Sequence, residues 1–188
     1  KTLLNLKANP EDPFAIYAEV AAHYSDILSK KTEKAASQKQ QIAKWENENP
    51  ALAQKMQLFL SGELPELDLS SVAQKPNAAT RDASSAVLAY LAENVENIIV
   101  SSADLSNSDK TDGFLKKSSV LQKNNFNGAF LQAGVAELTM TSIANGIALH
   151  GGVVPVVATF FVFSDYMKPA IRLAAIQELP VKYVLTHD

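Results

Sequence analysis

The chain has 188 residues, 47% apolar and 20% charged, apolar material for one ordinary domain plus an appendage and too little for two full-sized ones. Lysine and arginine number 17 against 20 acids, a formal charge of -3, so the basic excess of a polyanion binder is missing and no nucleic-acid partner is expected. Without cysteine there is no disulfide scaffold, thiolate metal site or cysteine nucleophile, and with no apolar run near the roughly 20 residues of a membrane span and no signal peptide a cytoplasmic protein free of membrane is expected.

Residues from Pro10 to about Leu60 read as helical. Phe14, Tyr17, Val20, Ala21, Tyr24, Ile27 and Leu28 recur at steps of three and four, the stripe of an amphipathic helix. Asp12-Pro13 is expected to supply its N-cap and first helical position. Lys30 to Glu48 is too polar for a core helix, with Trp45 its one large anchor. Pro50 opens another helix that Gly62 closes, and Ser61 to Pro76 reads as a linker. After Thr80 the pattern changes to helices alternating with short apolar runs. Helices are expected at Thr80–Asn94, about Glu137–His150 and about Asp165–Gln177. Strands are expected at Ile98–Val100, Phe130–Ala133, Val153–Thr159 (interrupted by Pro155) and Val181–Leu185, with a long polar loop over Ser106–Asn127. In the Glu137 helix, Met140, Ile143, Ala144, Ile147 and Ala148 form the expected apolar face. Buried strands in alternation with helices imply an α/β fold, a parallel sheet flanked by helices on both faces. The start at Lys1 and the stop just past a strand read as a fragment of something longer.

In such sheets, ligands sit beyond the carboxyl ends of the strands. Four stretches should therefore converge on one edge: Ser102-Ala103-Asp104, Gly134 to Glu137, Thr159 to Tyr166, and Thr186-His187-Asp188. Glu137 stands among Val135, Ala136, Leu138 and Met140, where a poorly hydrated carboxyl group is disposed to share a proton with a ligand nitrogen. It equally suits a helix N-terminus as a simple complement to the dipole. Phe160, Phe163 and Tyr166 lie three residues apart and would share a face that stacks on a flat heteroaromatic ring, or else pack in the core. His187 is the one histidine at a strand end beside an acid, suited to proton transfer or hydroxyl binding. His23 and His150 read as structural. Arg81, one of only two arginines, could hold an anion together with Ser108. The histidines are too scattered for a metal site, there is no glycine-rich phosphate loop, and Asp112-Gly113 reads as a turn.

Ala79-Thr80-Arg81, Ser102-Ala103-Asp104-Leu105, Gly134-Val135-x-Glu137-x-x-Met140, Thr159-Phe160-x-x-Phe163-x-x-Tyr166, Ile171-Arg172-Leu173-Ala174 and Thr186-His187-Asp188 occur in the order seen in transketolases. The chain resembles their central pyrimidine-binding domain, and Pro13-Phe14, Trp45-Glu46, Pro50 and Ser61-Gly62-Glu63-Leu64-Pro65 resemble the helical connection before it. The resemblance implies a helical linker over 1–75 and a thiamine diphosphate-binding α/β domain over 76–188, incomplete at its C-terminus. It implies a cytoplasmic homodimeric transferase of the pentose phosphate pathway that moves a two-carbon ketol unit between sugar phosphates, with the active site between subunits. Glu137 would be the glutamate on the aminopyrimidine nitrogen, and Phe160, Phe163 and Tyr166 the pocket for that ring. Asp104 would lie beside the cofactor, His187 on substrate hydroxyls, and Arg81 with Ser108 on the terminal phosphate. The Mg2+ or Ca2+ of the full enzyme would be held outside this chain. Ala136 and Leu138 stand where transketolases commonly carry Arg and His. A deoxyxylulose-phosphate synthase, the β part of a keto-acid dehydrogenase, or a non-catalytic interaction subunit are the alternatives.

Overall fold

Ile98-Ile99-Val100 and Val156-Val157-Ala158 are apolar at successive positions, as strands covered on both faces must be. In the computed structural model, which describes residues 1–187, they are the two central strands of a parallel sheet. Asp188 lies outside the described residues. The chain divides into two compact units, one ending at Ala53 and the other beginning at Gln54.

The first unit holds α1 (Thr2–Asn5) and α2 (Ala18–Glu48) and the start of α3 (Pro50–Ser61). No residue of α2 is buried. Its helicity rests on good helix formers and on pairs one turn apart such as Lys30 with Asp26, 2.7 Å. Asp12-Pro13 does not begin this helix, contrary to expectation, since the N-cap is Tyr17. Ala15 N–H donates to the Asp12 carbonyl at 3.2 Å, so Pro13 takes the second position of a tight turn, for which its fixed φ is equally suited.

The second unit continues with a 3-10 turn at Leu69–Ser71, α4 (Thr80–Asn94), β1 (Ile98–Ser102), α5 (Ser106–Asp109), α6 (Asp112–Leu115) and β2 (Phe130–Gln132). It then runs through α7 (Glu137–His150), β3 (Val154–Phe160), a 3-10 turn at Phe161–Phe163, α8 (Ser164–Ile176) and β4 (Lys182–Thr186). The strand order is β2-β1-β3-β4, all parallel. On one face Leu88 of α4 and Phe114 of α6 pack over Val100, Phe130 and Val156. On the other, Met140 and Ala144 of α7 and Met167 of α8 cover Ala103 and Val157. The fold is thus α/β with helices on both faces, as expected, and among the described residues no helix is long and apolar enough to cross a membrane.

Three local expectations give way. Pro155 does not interrupt β3, although β3 is a central strand. Val154 N–H donates toward β1, to the Asn97 carbonyl at 2.8 Å, so the missing donor of Pro155 points the other way. There the ladder to β4 starts only at Val156 opposite Lys182, and no bond is forfeited. The polar run Ser106–Asn127 is not a plain loop but opens with α5 and α6, pinned by the wholly buried Asp109, Thr111 and Phe114. Asp112-Gly113 accordingly begins a short helix rather than a turn. Gly113 is needed for proximity: a Cβ there would sit 2.3 Å from Ser85 Oγ and 2.6 Å from the Ser85 carbonyl oxygen, so α6 lies flush on α4 only with glycine. Finally, the buried stripe of α7 is Glu137, Met140, Thr141, Ala144 and Asn145, while Ile143 is exposed. Polar Asn145 belongs inside because its Nδ2 donates to the Ala170 carbonyl of α8 at 2.9 Å.

Candidate active site at the carboxyl edge of the sheet

Because the four strands are parallel, their carboxyl ends share one edge, and the connections after Ser102, Gln132, Phe160 and Thr186 all leave from it. Arg81 reaches this edge from the first turn of α4. Its Nη1 lies across the His187 imidazole, 2.9 Å from Nδ1 and 2.8 Å from Nε2. The same Nη1 donates to the Ser108 carbonyl at 3.4 Å. Residues 81, 108 and 187, far apart in the chain, thus form one cluster. Arg81 and His187 line an open cleft of about 800 Å3 together with Thr80, Ser84 and Thr186.

A row of rings adjoins the cluster. Phe160 and Phe163 are stacked at 5.8 Å between centroids with planes 14° apart. Phe163 and Tyr166 follow at 6.2 Å and 28°. The three were expected to share a helical face; instead Phe160 closes β3, and the 3-10 turn followed by α8 carries the other two. The tighter turn still brings side chains three apart into line. Tyr166 is 62% exposed, which makes it surface rather than core. His187 links the row to the cation, its ring 4.4 Å from that of Phe160.

Glu137 is the first residue of α7 and only 7% exposed. Gly134, at φ +68, lets the chain reverse after β2, and Ala136 N–H closes the turn on the Gly134 carbonyl at 2.8 Å. The N-cap Ala136 makes no side-chain cap hydrogen bond, and Glu137 is the acid of the first turn, where a carboxylate complements the helix dipole. Its main-chain carbonyl accepts from Thr141 Oγ1 at 2.8 Å, whereas its carboxylate has no hydrogen-bond partner among the described residues. Thr159 Oγ1 and Thr186 Oγ1, at the ends of β3 and β4, are buried without a partner among the described residues. Buried polar atoms left unpaired at one sheet edge are what a polar heteroaromatic ligand would satisfy. Asp104 is exposed in the turn after β1, with φ +64. Among the described residues no hydrogen bond or ring contact joins Glu137 or Asp104 to the Arg81 cluster or to the ring row.

One element escaped the sequence reading. Asp109 is wholly buried and binds three donors: Ser102 Oγ at 2.6 Å, Thr111 N at 2.9 Å and Thr111 Oγ1 at 2.8 Å. The available signal was Phe114-Leu115, an apolar pair within a mostly polar run, which marks a segment folded onto the core. Of the stretch Thr186-His187-Asp188, the acid lies outside the described residues.

The family described as the transketolase pyrimidine-binding domain matches residues 76–188. A transketolase of Halalkalibacterium halodurans is 40% identical over 182 residues, covering 95% of this chain and 27% of that protein. Among solved structures, a transketolase from Leishmania mexicana superposes with a TM-score of 0.82 at 29% identity, covering 98% of this chain and 28% of the other. A transketolase from Pichia stipitis in complex with sedoheptulose-7-phosphate superposes with a TM-score of 0.80 at 32% identity, covering 98% and 29%. The chain therefore spans about a quarter of the length of the relatives it matches. With a four-stranded parallel sheet of matching architecture and a family match over most of its length, this chain belongs to the transketolase pyrimidine-binding domain family.

Proposed function

We propose that the chain supplies the aminopyrimidine-binding half of a thiamine diphosphate site, and that the full-length protein is a cytoplasmic transketolase moving a two-carbon ketol unit between sugar phosphates of the pentose phosphate pathway. The observation that carries this reading is His187, seated between Arg81 Nη1 and the Phe160 ring. It joins a cation suited to an anionic group with aromatic faces suited to a flat ring. When bound, the cofactor would supply a carbon nucleophile, a chemistry that amino-acid side chains do not offer. Phe160, Phe163 and Tyr166 would flank its pyrimidine, with Asp104 beside it. Glu137, only 7% exposed and with no hydrogen-bond partner for its carboxylate among the described residues, would place its hydrogen bond on a ring nitrogen.

Arg81 and Ser108 would hold the terminal phosphate of the sugar, with His187 on its hydroxyls. The Pichia stipitis enzyme is named in complex with a sugar phosphate, which supports that class of ligand. A Mg2+ or Ca2+ ion would be held by residues outside this chain. Val135, Leu138, Phe161 and Val162 expose apolar side chains beside the same edge, a patch suited to cover by a second subunit of the same protein. Such a homodimer would complete the site at its interface. Ala136 and Leu138, in place of the usual Arg and His, alter contacts next to Glu137 and leave its carboxylate in place.

The test compares the full-length protein with residues 1–188 alone. Full-length protein with thiamine diphosphate should turn over xylulose 5-phosphate with ribose 5-phosphate, and should not consume pyruvate. The isolated chain, holding half a site, should show no turnover. Pyruvate consumption would assign the chain to another thiamine enzyme, and ketol transfer by residues 1–188 would refute the half-site argument.

A further inference from the structure

We infer that Asp109 is a positioning residue for phosphate recognition. It sets the place of Ser108, and through the Ser108 carbonyl the place of the Arg81 guanidinium. The inference rests on the reading above, that Arg81 and Ser108 hold a phosphate. A carboxylate with 0% exposure is costly to bury unless donors surround it. Among the described residues Asp109 meets no cation, and its two oxygens divide the donors. Oδ2 accepts from Ser102 Oγ, the last residue of β1. Oδ1 accepts from the main-chain and side-chain donors of Thr111, at the start of α6. The Ser102 hydroxyl is itself tied back, accepting from Leu105 N–H at 3.1 Å.

These four bonds enclose one short segment. It leaves the sheet at Ser102, passes Asp104 at φ +64, makes the single turn of α5, and is re-anchored at Lys110, at φ +67, and Thr111. Both left-handed residues are non-glycine, a conformation that persists only where surrounding contacts over-determine it. Ser108 lies immediately before Asp109 on that turn, and its carbonyl receives Arg81 Nη1. Beyond Thr111, the flush contact of Gly113 with Ser85 fixes α6 against α4, the helix whose first turn carries Arg81. The two halves of the cluster are therefore held in register by one buried acid and one tight helix contact. The acid is the part that can be changed without filling space.

The experiment measures KM and kcat of the full-length protein for ribose 5-phosphate and for ribose, which lacks the phosphate, with xylulose 5-phosphate as donor. Asp109→Ala should raise KM for ribose 5-phosphate on the order of tenfold, with kcat and the KM for ribose nearly unchanged. Asp109→Asn should restore the original values, because its amide oxygen keeps both Thr111 donors while its NH2 donates to Ser102 Oγ. Ser102→Ala, which breaks the same clip from the other end, repeats the test should Asp109→Ala fail to fold, and should again raise only the ribose 5-phosphate KM. Equal changes for both sugars, or an Asp109→Asn protein no better than Asp109→Ala, would overturn the inference. Arg81→Leu separates this result from the underlying reading. If it leaves the preference for ribose 5-phosphate intact, the phosphate site is elsewhere, and Asp109 loses its role with it.

Discussion

Glu137→Gln in the full-length protein should lower kcat for ketol transfer by about 10²–10⁴-fold, the usual worth of a positioned proton donor or acceptor. The substitution keeps the shape of a side chain that is only 7% exposed, and it removes the ability to hold a proton shared with a ring nitrogen. Stability should suffer little. The lost attraction between the carboxylate and the N-terminus of α7 is on the order of 0.3–1 kcal/mol, and the bond from Thr141 Oγ1 goes to the main-chain carbonyl, which the change leaves alone. Steady-state kinetics paired with a thermal melt read the two effects separately. Near-normal turnover with an unchanged melt would remove Glu137 from the chemistry.

The second large effect is structural. Phe114→Ala should destabilise the pyrimidine-binding domain by about 3–5 kcal/mol, as expected for removing a large aromatic side chain from a packed core. Phe114 is 1% exposed and belongs to the cluster with Leu88, Val100 and Phe130. It is the one large apolar side chain of its single-turn helix to be wholly buried, while Leu115 beside it is only partly buried against the same cluster. Urea denaturation of the full-length protein, followed by circular dichroism, should show the midpoint of this domain falling. A loss below about 1 kcal/mol, the size of a surface effect, would mean that α6 can leave the sheet at little cost.

Much of the fold was legible because its elements are regular. The α4 and α7 boundaries follow from helical periodicity and agree with the structure at both ends. The four strands are short apolar runs between helices, a pattern with few other readings. What escaped depends on partners remote in sequence. Nothing near Pro155 says that β4 begins one residue later on its far side. Nothing near Asn145 announces the Ala170 carbonyl. Asp109 reads as a loop acid until Ser102 and Thr111 are seen closing on it. In the candidate site, the positions of Glu137 and His187 at strand ends could be inferred from topology. The contact of Arg81 with His187 could not, since it spans almost the whole second unit and exists only when α4 and β4 are both in place. The resemblance to transketolases grouped these residues without showing how they touch.

The sheet order has a consequence for how the chain acquires its shape. β1 sits between β2 and β3, and both neighbours are made after it. When Ile98 to Ser102 leaves the ribosome, the helix of the sheet domain already made that packs on it is α4, whose Leu88 lies with Ile98 and Val100 in one core cluster. Its hydrogen-bonding edges wait for Phe130 and then Val154, so loop closure must precede any reward from pairing. During synthesis β1 is therefore an apolar stretch whose two hydrogen-bonding edges stay open until β2 and β3 follow, the kind of surface that chaperones shield.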